Sequence, residues 1–514
     1  MDVNLQRKPA KSQNLLANSK YELPFELDST MPDYCRDIKK ILNTNISPVI
    51  CSVICNDSKL IIDGNILICV YYLDNEDNIS KYESKTPFNK AIDIKNVPQN
   101  ISVNSKVYEG YFNCRAVSPR RLDLRGAIVI EIDACSYDNY SVIENIIGDD
   151  IEVNKKTFEF ADFIGQWSKQ FTIKEDFEIN DKNCKPSYLI RYNICPLTKE
   201  YKILPDKIII KGFLNITICY CSENNKQFVR KEFKIPFSQI IDCPNLDEDC
   251  ICECQLKLIN SEITYSSKEK DSFEFNISAT ICANIIGYKK VIITSISDCF
   301  CHSCECTCKT KKLNMNKIIS VINDTFTHTE NINVNDFTEI KDCWCKPIFT
   351  EYEYDNKNLI VKIKAVICIL GIKDNLYCCI EKPVIITLDV LKNQIIQCPY
   401  FNNNISIIDC RFTDINNSKI DIICNIKVSG IVFDKIVMNA VDGLKPNENA
   451  KKQINQDLVF IHYVNTKESL WDIAKKYNNK VDYIKELNNI KKDYSDIGQT
   501  LIITPYKNPI PLKE

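Results

Sequence analysis

An apolar, strand-like segment occurs three times in this 514-residue chain, and this repeat is the feature that most limits how the chain can fold. Gly64 of the first copy aligns without gaps with Gly212 of the second, and Ile363 stands at that position in the third. The three copies begin at Lys59, Lys207 and Asn358. A repeat of this length indicates three related structural units rather than one large core.

A second strand, marked by a proline, follows each copy, and the prolines are separated by 149 and 147 residues at positions 87, 236 and 383. The later part of each unit contains alternating apolar and polar residues rich in Ile, Val, Phe and Thr, as in half-buried strands. We therefore expect a mainly β protein with three tandem antiparallel, sandwich-like or barrel-like domains, at residues 20–140, 165–295 and 320–440.

Composition narrows the function classes. The chain has 65 Lys and Arg against 68 Asp and Glu, so its net charge of -3 gives no electrostatic footprint for nucleic acid. The N-terminus lacks the apolar stretch of a signal peptide, and no segment approaches the length of a membrane span. We expect a cytoplasmic protein whose 28 cysteines are mostly free thiols.

Two connecting segments have opposite character. Residues 157–167 are rich in aromatic side chains, and we expect them to pack between domains. Residues 441–458 are polar and contain turn-forming residues, which is typical of a linker.

The last part of the chain, residues 459–506, predicts a strand–helix–helix–strand module. The first helix has an apolar face with the spacing i, i+3, i+4, i+7, at Leu470, Ile473, Ala474 and Tyr477. Ser469 stands at its expected N-cap, with Asp472 three residues later. The second helix is expected to turn three side chains inward: Val481, Ile484 and Leu487.

This module resembles the LysM family through Tyr463-Val464, residues 470–477, Leu487-Asn488 and residues 497–503. LysM modules bind N-acetylglucosamine-containing glycans, and some bind proteins. Where the family has Gly-Asp-Thr before the first helix, this chain has Lys467-Glu468-Ser469, which favours a protein partner. The residues expected to contact that partner are Trp471, Lys467, Glu468, Ser469, Tyr494 and Ile497.

The upstream repeats resemble the SPOCS domain of clostridial spore proteins, through Thr86-Pro87-Phe88, Ile235-Pro236-Phe237 and the segment 120–125. The third copy is degenerate, with Val384 in place of the phenylalanine. SPOCS repeats followed by one LysM module resemble the SipL-like spore coat morphogenetic proteins. The resemblance implies a scaffold without enzyme activity or cofactor, in the mother-cell cytoplasm at the forespore surface. It also implies docking to the ATPase that polymerises as the basement layer of the spore coat, and links to other coat proteins.

Two alternatives remain open. A carbohydrate-binding protein would use the LysM module to bind cell-wall glycan. A metalloprotein would use a cluster whose thiolates are preferred zinc ligands: Cys299, Cys301, His302, Cys304, Cys306 and Cys308. Inert or cross-linking thiols are the competing interpretation of that cluster, because alternating cysteines place their sulfurs on one face of a single strand. The Cys301-to-Cys304 spacing lacks the βαβ context of a redox motif.

Overall fold

The computed structural model describes residues 3–56, 59–93, 101–148, 150–179, 185–223, 227–269, 272–335, 337–355, 357–413, 418–452 and 458–505. Strands account for 81% of the chain and helices for 3%. The mainly β fold with a small α+β module at the C-terminus is therefore confirmed. All described sheets are antiparallel, and none closes into a barrel, so the repeats are sandwiches.

Each repeat contains six strands. In the first repeat they are β1 (Asn4–Thr30), β2 (Lys40–Asn56), β3 (Lys59–Leu73), β4 (Ile79–Asp93), β5 (Ile101–Ser118) and β6 (Arg121–Ile147). In the second they are β7 (Ile151–Ile179), β8 (Pro186–Leu204), β9 (Lys207–Ser222), β10 (Phe228–Asp242), β11 (Cys250–Glu269) and β12 (Ser272–Cys301). In the third they are β13 (Cys304–Asn333), β14 (Glu339–Asp355), β15 (Asn358–Lys373), β16 (Leu376–Leu391), β17 (Pro399–Phe412) and β18 (Lys419–Lys451).

The three repeats share one topology. The first strand of a repeat pairs with the sixth, which pairs with the fifth, giving the sheets β1-β6-β5, β7-β12-β11 and β13-β18-β17. The middle three strands form a meander, giving β2-β3-β4, β8-β9-β10 and β14-β15-β16. Every second residue of the central strands is buried between the two sheets, and this is the alternation that the sequence shows.

A glycine opposite an aromatic ring explains the Pro-Phe motif. Gly64 pairs with Phe88, and a Cβ at position 64 would lie 2.3 Å from that ring. Gly212 and Phe237 repeat the arrangement. In the third repeat the register places Ala365 opposite Val384, so the alignment of Ile363 with the glycines is wrong. In each repeat the central strand of the meander has the smaller residue, Gly or Ala, and the strand paired with it has the larger one, Phe or Val.

The first and sixth strands of each repeat extend beyond the sandwich and pack together in the centre of the molecule. One apolar cluster takes buried residues from all three repeats: Ala10, Tyr140, Val142, Phe160, Ile293, Leu313, Met315 and Ala440. The aromatic segment 157–167 contributes Phe160, which confirms its expected packing between domains. The repeats therefore surround a common axis instead of standing in a row.

A second contact between repeats is ionic. Asp342 of β14 is 1% exposed and accepts hydrogen bonds from Arg191 of β8, at 2.9 and 2.7 Å. Its other carboxylate oxygen accepts one from Arg230 of β10, at 2.9 Å. Two guanidinium groups of the second repeat thus neutralise one buried carboxylate of the third.

The expected linker at residues 441–458 is wrong for its first part. Strand β18 continues to Lys451 and pairs with β13, because Val441 and Leu444 find an apolar cluster between the repeats. Residues 453–457 lie outside the described part of the chain. The domain limits expected from the sequence cover the sandwiches but omit these strand extensions.

The C-terminal module follows the expected order. Its elements are β19 (Phe460–Tyr463), β20 (Glu468–Ser469), α1 (Leu470–Tyr477), α2 (Val481–Asn488), β21 (Tyr494–Ser495) and β22 (Thr500–Ile503). Strands β19 and β22 pair, and the helices cover one face of that pair. The buried apolar residues of the module are Val464, Leu470, Ile473, Ala474, Ile484, Leu501 and Ile503. Leu487 is 37% exposed, so its expected inward position is wrong.

Candidate partner-binding site

The turn that departs from the LysM pattern is held by contacts within the module. The Ser469 hydroxyl accepts a hydrogen bond from the Asp472 backbone N–H at 3.1 Å, which confirms the predicted N-cap. Glu468 lies 3.0 Å from Nε2 of the buried His462, whose Nδ1 contacts the Tyr477 hydroxyl at 3.1 Å. The side chains of Glu468 and Ser469 therefore stabilise the turn through contacts within the module.

Three of the expected contact residues form an exposed surface, which we call the tip: Lys467, Tyr494 and Ile497. The Lys467 ammonium lies over the Tyr494 ring at 4.2 Å from its centroid. Lys492 approaches the same ring at 5.2 Å. Ile497 is 70% exposed, one residue before Gly498, which adopts a positive φ of 85° in the turn. The tip combines a cation, an aromatic ring and an apolar side chain.

Trp471 is not part of the tip. Its indole N–H donates a hydrogen bond to Asp298 at 2.9 Å, and its ring meets Phe300 edge-on, with 5.1 Å between centroids. Lys475, one turn further along α1, binds the same Asp298 carboxylate at 2.7 Å. The residue expected to anchor a partner therefore anchors the LysM module to the second repeat.

The end of α1 completes this contact. Asn478 adopts the left-handed conformation with φ 55° as the C-cap of the helix. Its backbone carbonyl lies 3.1 Å from Nδ1 of His302, and its side-chain amide donates to the His302 carbonyl at 2.5 Å. His302 lies in the turn between β12 and β13. We call the segment 298–308 the docking hairpin.

The docking hairpin contains the cysteine cluster. Cys299 and Cys308 face each other with their sulfurs 2.7 Å apart, and Cys301 and Cys304 with theirs 3.4 Å apart. Hydrogen bonding to Cys299 and Cys306 lowers the pKa of Cys308 to about 7 despite burial. The two ring nitrogens of His302 lie 3.1 Å from the Asn478 carbonyl and 3.4 Å from the Glu152 carboxylate.

The metal hypothesis finds no geometric support. Across the described residues, no group of three or more His, Cys, Asp or Glu side chains is arranged to hold a metal ion. The thiols lie where the chain passes from β12 to β13, two strands of different sheets. Cys301 faces Cys304, while Cys308 contacts both Cys299 and Cys306. Cys306 also packs between the LysM core and the cluster around Val441.

The structure also reveals site residues that the sequence reasoning missed. Asp298 precedes the cysteines and Phe300 lies between Cys299 and Cys301, and both contact Trp471, which is 173 and 171 residues away in the sequence. On the outer side of the β19–β22 sheet, Ile461, Tyr463 and Ile502 are 57%, 65% and 47% exposed. The alternation of residues 460–464 could have identified this outer sheet face, because His462 and Val464 are the buried partners.

Comparison with known families identifies both kinds of domain. Residues 37–117 and 187–266 match the family described as SipL, SPOCS domain, and residues 462–504 match the LysM domain. The first two segments run from β2 to β5 and from β8 to β11, and the third repeat shares their strand order. No curated protein and no solved structure matches the chain.

The chain therefore carries SPOCS domains and a C-terminal LysM domain, as the sequence predicts. Both are non-catalytic binding domains, and together they fit a protein related to the spore coat or one that binds the cell wall. Neither helix of the described residues has the length and apolar character needed to cross a membrane.

Proposed function

We propose that this protein is a non-enzymatic scaffold of spore coat assembly. It acts in the mother-cell cytoplasm at the forespore surface, where its LysM module docks to the polymerising ATPase of the coat basement layer. The three repeats link this layer to other coat proteins. The presence of SPOCS and LysM domains in one chain supports the sporulation setting.

The observation that carries the proposal is the tip. Ile497 is the most exposed large apolar side chain among the described residues of the LysM module, and it follows Tyr494 of the Lys467–Tyr494 pair by three residues. An apolar and aromatic centre with a cation at its edge is typical of protein interfaces. A partner surface with an apolar pocket next to a carboxylate would complement it.

The tip fits a sugar less well. A pyranose ring binds by stacking on an exposed aromatic face, but Lys467 lies over the face of Tyr494. Glu468 and Ser469 are occupied with His462 and Asp472 and are not turned to a ligand. The altered turn therefore supports a protein partner.

Glycan binding is the second candidate function. A LysM domain suggests binding of N-acetylglucosamine-containing glycans. Tyr463, 65% exposed on the outer sheet face, offers an aromatic ring that no lysine covers among the described cation–ring contacts. A glycan would then bind at this face and not at the tip.

The test measures binding of the full chain to the basement-layer ATPase by titration calorimetry. Ile497→Asp and Lys467→Glu are expected to weaken it at least about tenfold, since each removes a contact worth roughly 1–2 kcal/mol at an interface centre. Lys476→Gln is the matched control, because its ammonium lies over Tyr477 and not at the tip. Equal affinity of all three variants would contradict docking through the tip.

A further inference from the structure

Where the three repeats meet, the structure forms a half-open cavity of about 240 Å³ with both polar and apolar residues in its wall. Residues from β2, β5, β11, β14 and β17 line it, so every repeat contributes. Two lysines, Lys106 and Lys257, lie in its wall, and none of the lining residues is an aspartate or glutamate. Two partly buried cations with no carboxylate among the lining residues are unusual, because charges withdrawn from water are normally paired.

The repeat explains why the lysines converge. Lys106 pairs with Glu131, Lys257 with Cys282, and Asn404 with Ser429. Each of these partners stands ten residues after the start of the sixth strand of its repeat, at Arg121, Ser272 and Lys419. Lys106, Lys257 and Asn404 are thus equivalent positions of the three repeats, and all three line the cavity on the common axis.

Neither ammonium group has a carboxylate among its hydrogen-bond acceptors in the described residues. Lys257 donates a hydrogen bond to the Ser105 carbonyl at 3.0 Å, and Lys106 donates to the Asn403 side-chain oxygen, also at 3.0 Å. Both acceptors are neutral. Within the described residues, neither lysine forms an ion pair with a carboxylate.

Electrostatics agree with this geometry. Burial and the charge of Lys106 lower the pKa of Lys257 to about 8. Burial also lowers the pKa of Lys106, although the carboxylates of Glu131, Asp133 and Glu253 act in the opposite direction. Two cations held near each other at this cost are stabilised by an anion between them.

We propose that the axial cavity binds a small oxyanion with at least two negative charges, such as a phosphate or a polycarboxylate, between Lys106 and Lys257. Asn404 from the third repeat adds an amide donor to the same wall, and Thr350 adds a hydroxyl. Because all three repeats contribute to the wall, the bound anion would hold them together.

The test uses the full chain, with inorganic phosphate and citrate as probes in titration calorimetry. The phosphate titration tests for a phosphate ligand, and the citrate titration tests for a polycarboxylate ligand. We expect one site per chain, lost or weakened at least about tenfold in Lys257→Gln and Lys106→Gln, because each removes a charged donor. Lys257→Arg should retain binding. The matched control is Lys211→Gln, an exposed lysine of β9 that lies outside the cavity.

A second measurement does not depend on the folding of a variant. The wild-type chain is acetylated briefly with and without the anion, and modification of each lysine is quantified by mass spectrometry. Protection of Lys106 and Lys257 but not of Lys211 supports the site. Failure of both anions to bind at millimolar concentration, or binding that Lys257→Gln leaves unchanged, would overturn it.

Discussion

Replacing Asp298 by alanine is expected to detach the LysM module from the docking hairpin. Asp298 belongs to β12 and not to the module, so the substitution leaves the LysM core intact. Its carboxylate is the acceptor for both the Trp471 indole and the Lys475 ammonium. Without it, the indole N–H loses its partner while its ring still contacts Phe300.

The size of the effect follows from these contacts. A hydrogen bond from a neutral donor to a carboxylate contributes about 1.5–3 kcal/mol. The Lys475 ion pair adds only about 0.5 kcal/mol, because the two side chains are 46% and 32% exposed and solvent screens them. Losing about 2–3 kcal/mol lowers the docking equilibrium roughly 30- to 150-fold.

Hydrogen–deuterium exchange with mass spectrometry measures this change. Peptides covering the docking hairpin and α1 should exchange faster in Asp298→Ala, while peptides of the sandwiches stay protected. Asp493→Ala is the control, since it removes an ion pair within the LysM module, with Lys485, that does not involve the docking hairpin and is 88% exposed on the aspartate side. Equal exchange in the two variants would refute the docking assignment.

The docking contact should also respond to acid in a defined direction. Burial raises the pKa of Asp298, but hydrogen bonds from Lys475 and Trp471 outweigh it, so the net pKa lies below 3.8. A carboxylate with a lowered pKa contributes fully above its ordinary value and is lost as the pH falls through the lowered one. Exchange at matched intrinsic rates should therefore show docking unchanged from pH 7 to pH 5 and lost only below pH 3.8.

Three further outcomes are expected. Asp342→Ala should cost about 3–5 kcal/mol of unfolding free energy in denaturant melts, because it removes the carboxylate that pairs with Arg191 and leaves Arg230 with Glu232 alone; a loss below about 1 kcal/mol would contradict the buried ion network. Val384→Phe alone should cost about 1–3 kcal/mol by overpacking, and the added Ala365→Gly should recover part of this, a coupling that a double-mutant cycle measures and that strict additivity would disprove. Iodoacetamide at pH 7 should alkylate Cys308 faster than the exposed Cys398, because the Cys308 thiolate is already populated; the reverse order would show that access decides.

The repeat and the LysM module could be predicted because their signals are local. Alternating residues identify the strands, and the spacing of Leu470, Ile473 and Ala474 identifies the helix face that is buried. The Ser469 cap was predictable for the same reason, since its acceptor and donor lie three residues apart.

Contacts between distant segments could not be predicted in this way. Trp471 contacts Asp298 and Phe300, and no periodicity in the sequence relates these two residues to α1. The polar composition of residues 441–451 indicates a linker, but the exposed pairing edge of β13 and a few apolar positions make it a strand. Tertiary pairing overrides local propensity in that segment.

The packing of the three repeats around a common axis could not be predicted from the sequence either. The third repeat has Asn404 where the first two have Lys106 and Lys257, so the equivalence of these positions emerges only from the register of the strands. The alignment error at Ile363 has the same origin, because the strand pairing, and not the sequence match, identifies Ala365 as the position opposite Val384.

The most direct test of the proposed function compares two ligands on the same full-length protein. Binding to the basement-layer ATPase and to an N-acetylglucosamine oligosaccharide is measured side by side, with Ile497→Asp for the tip and Tyr463→Ala for the outer sheet face. We expect binding to the ATPase that Ile497→Asp abolishes, with no binding of the sugar. Sugar binding that Tyr463→Ala abolishes, without binding to the ATPase, would contradict the scaffold and establish a glycan-binding protein.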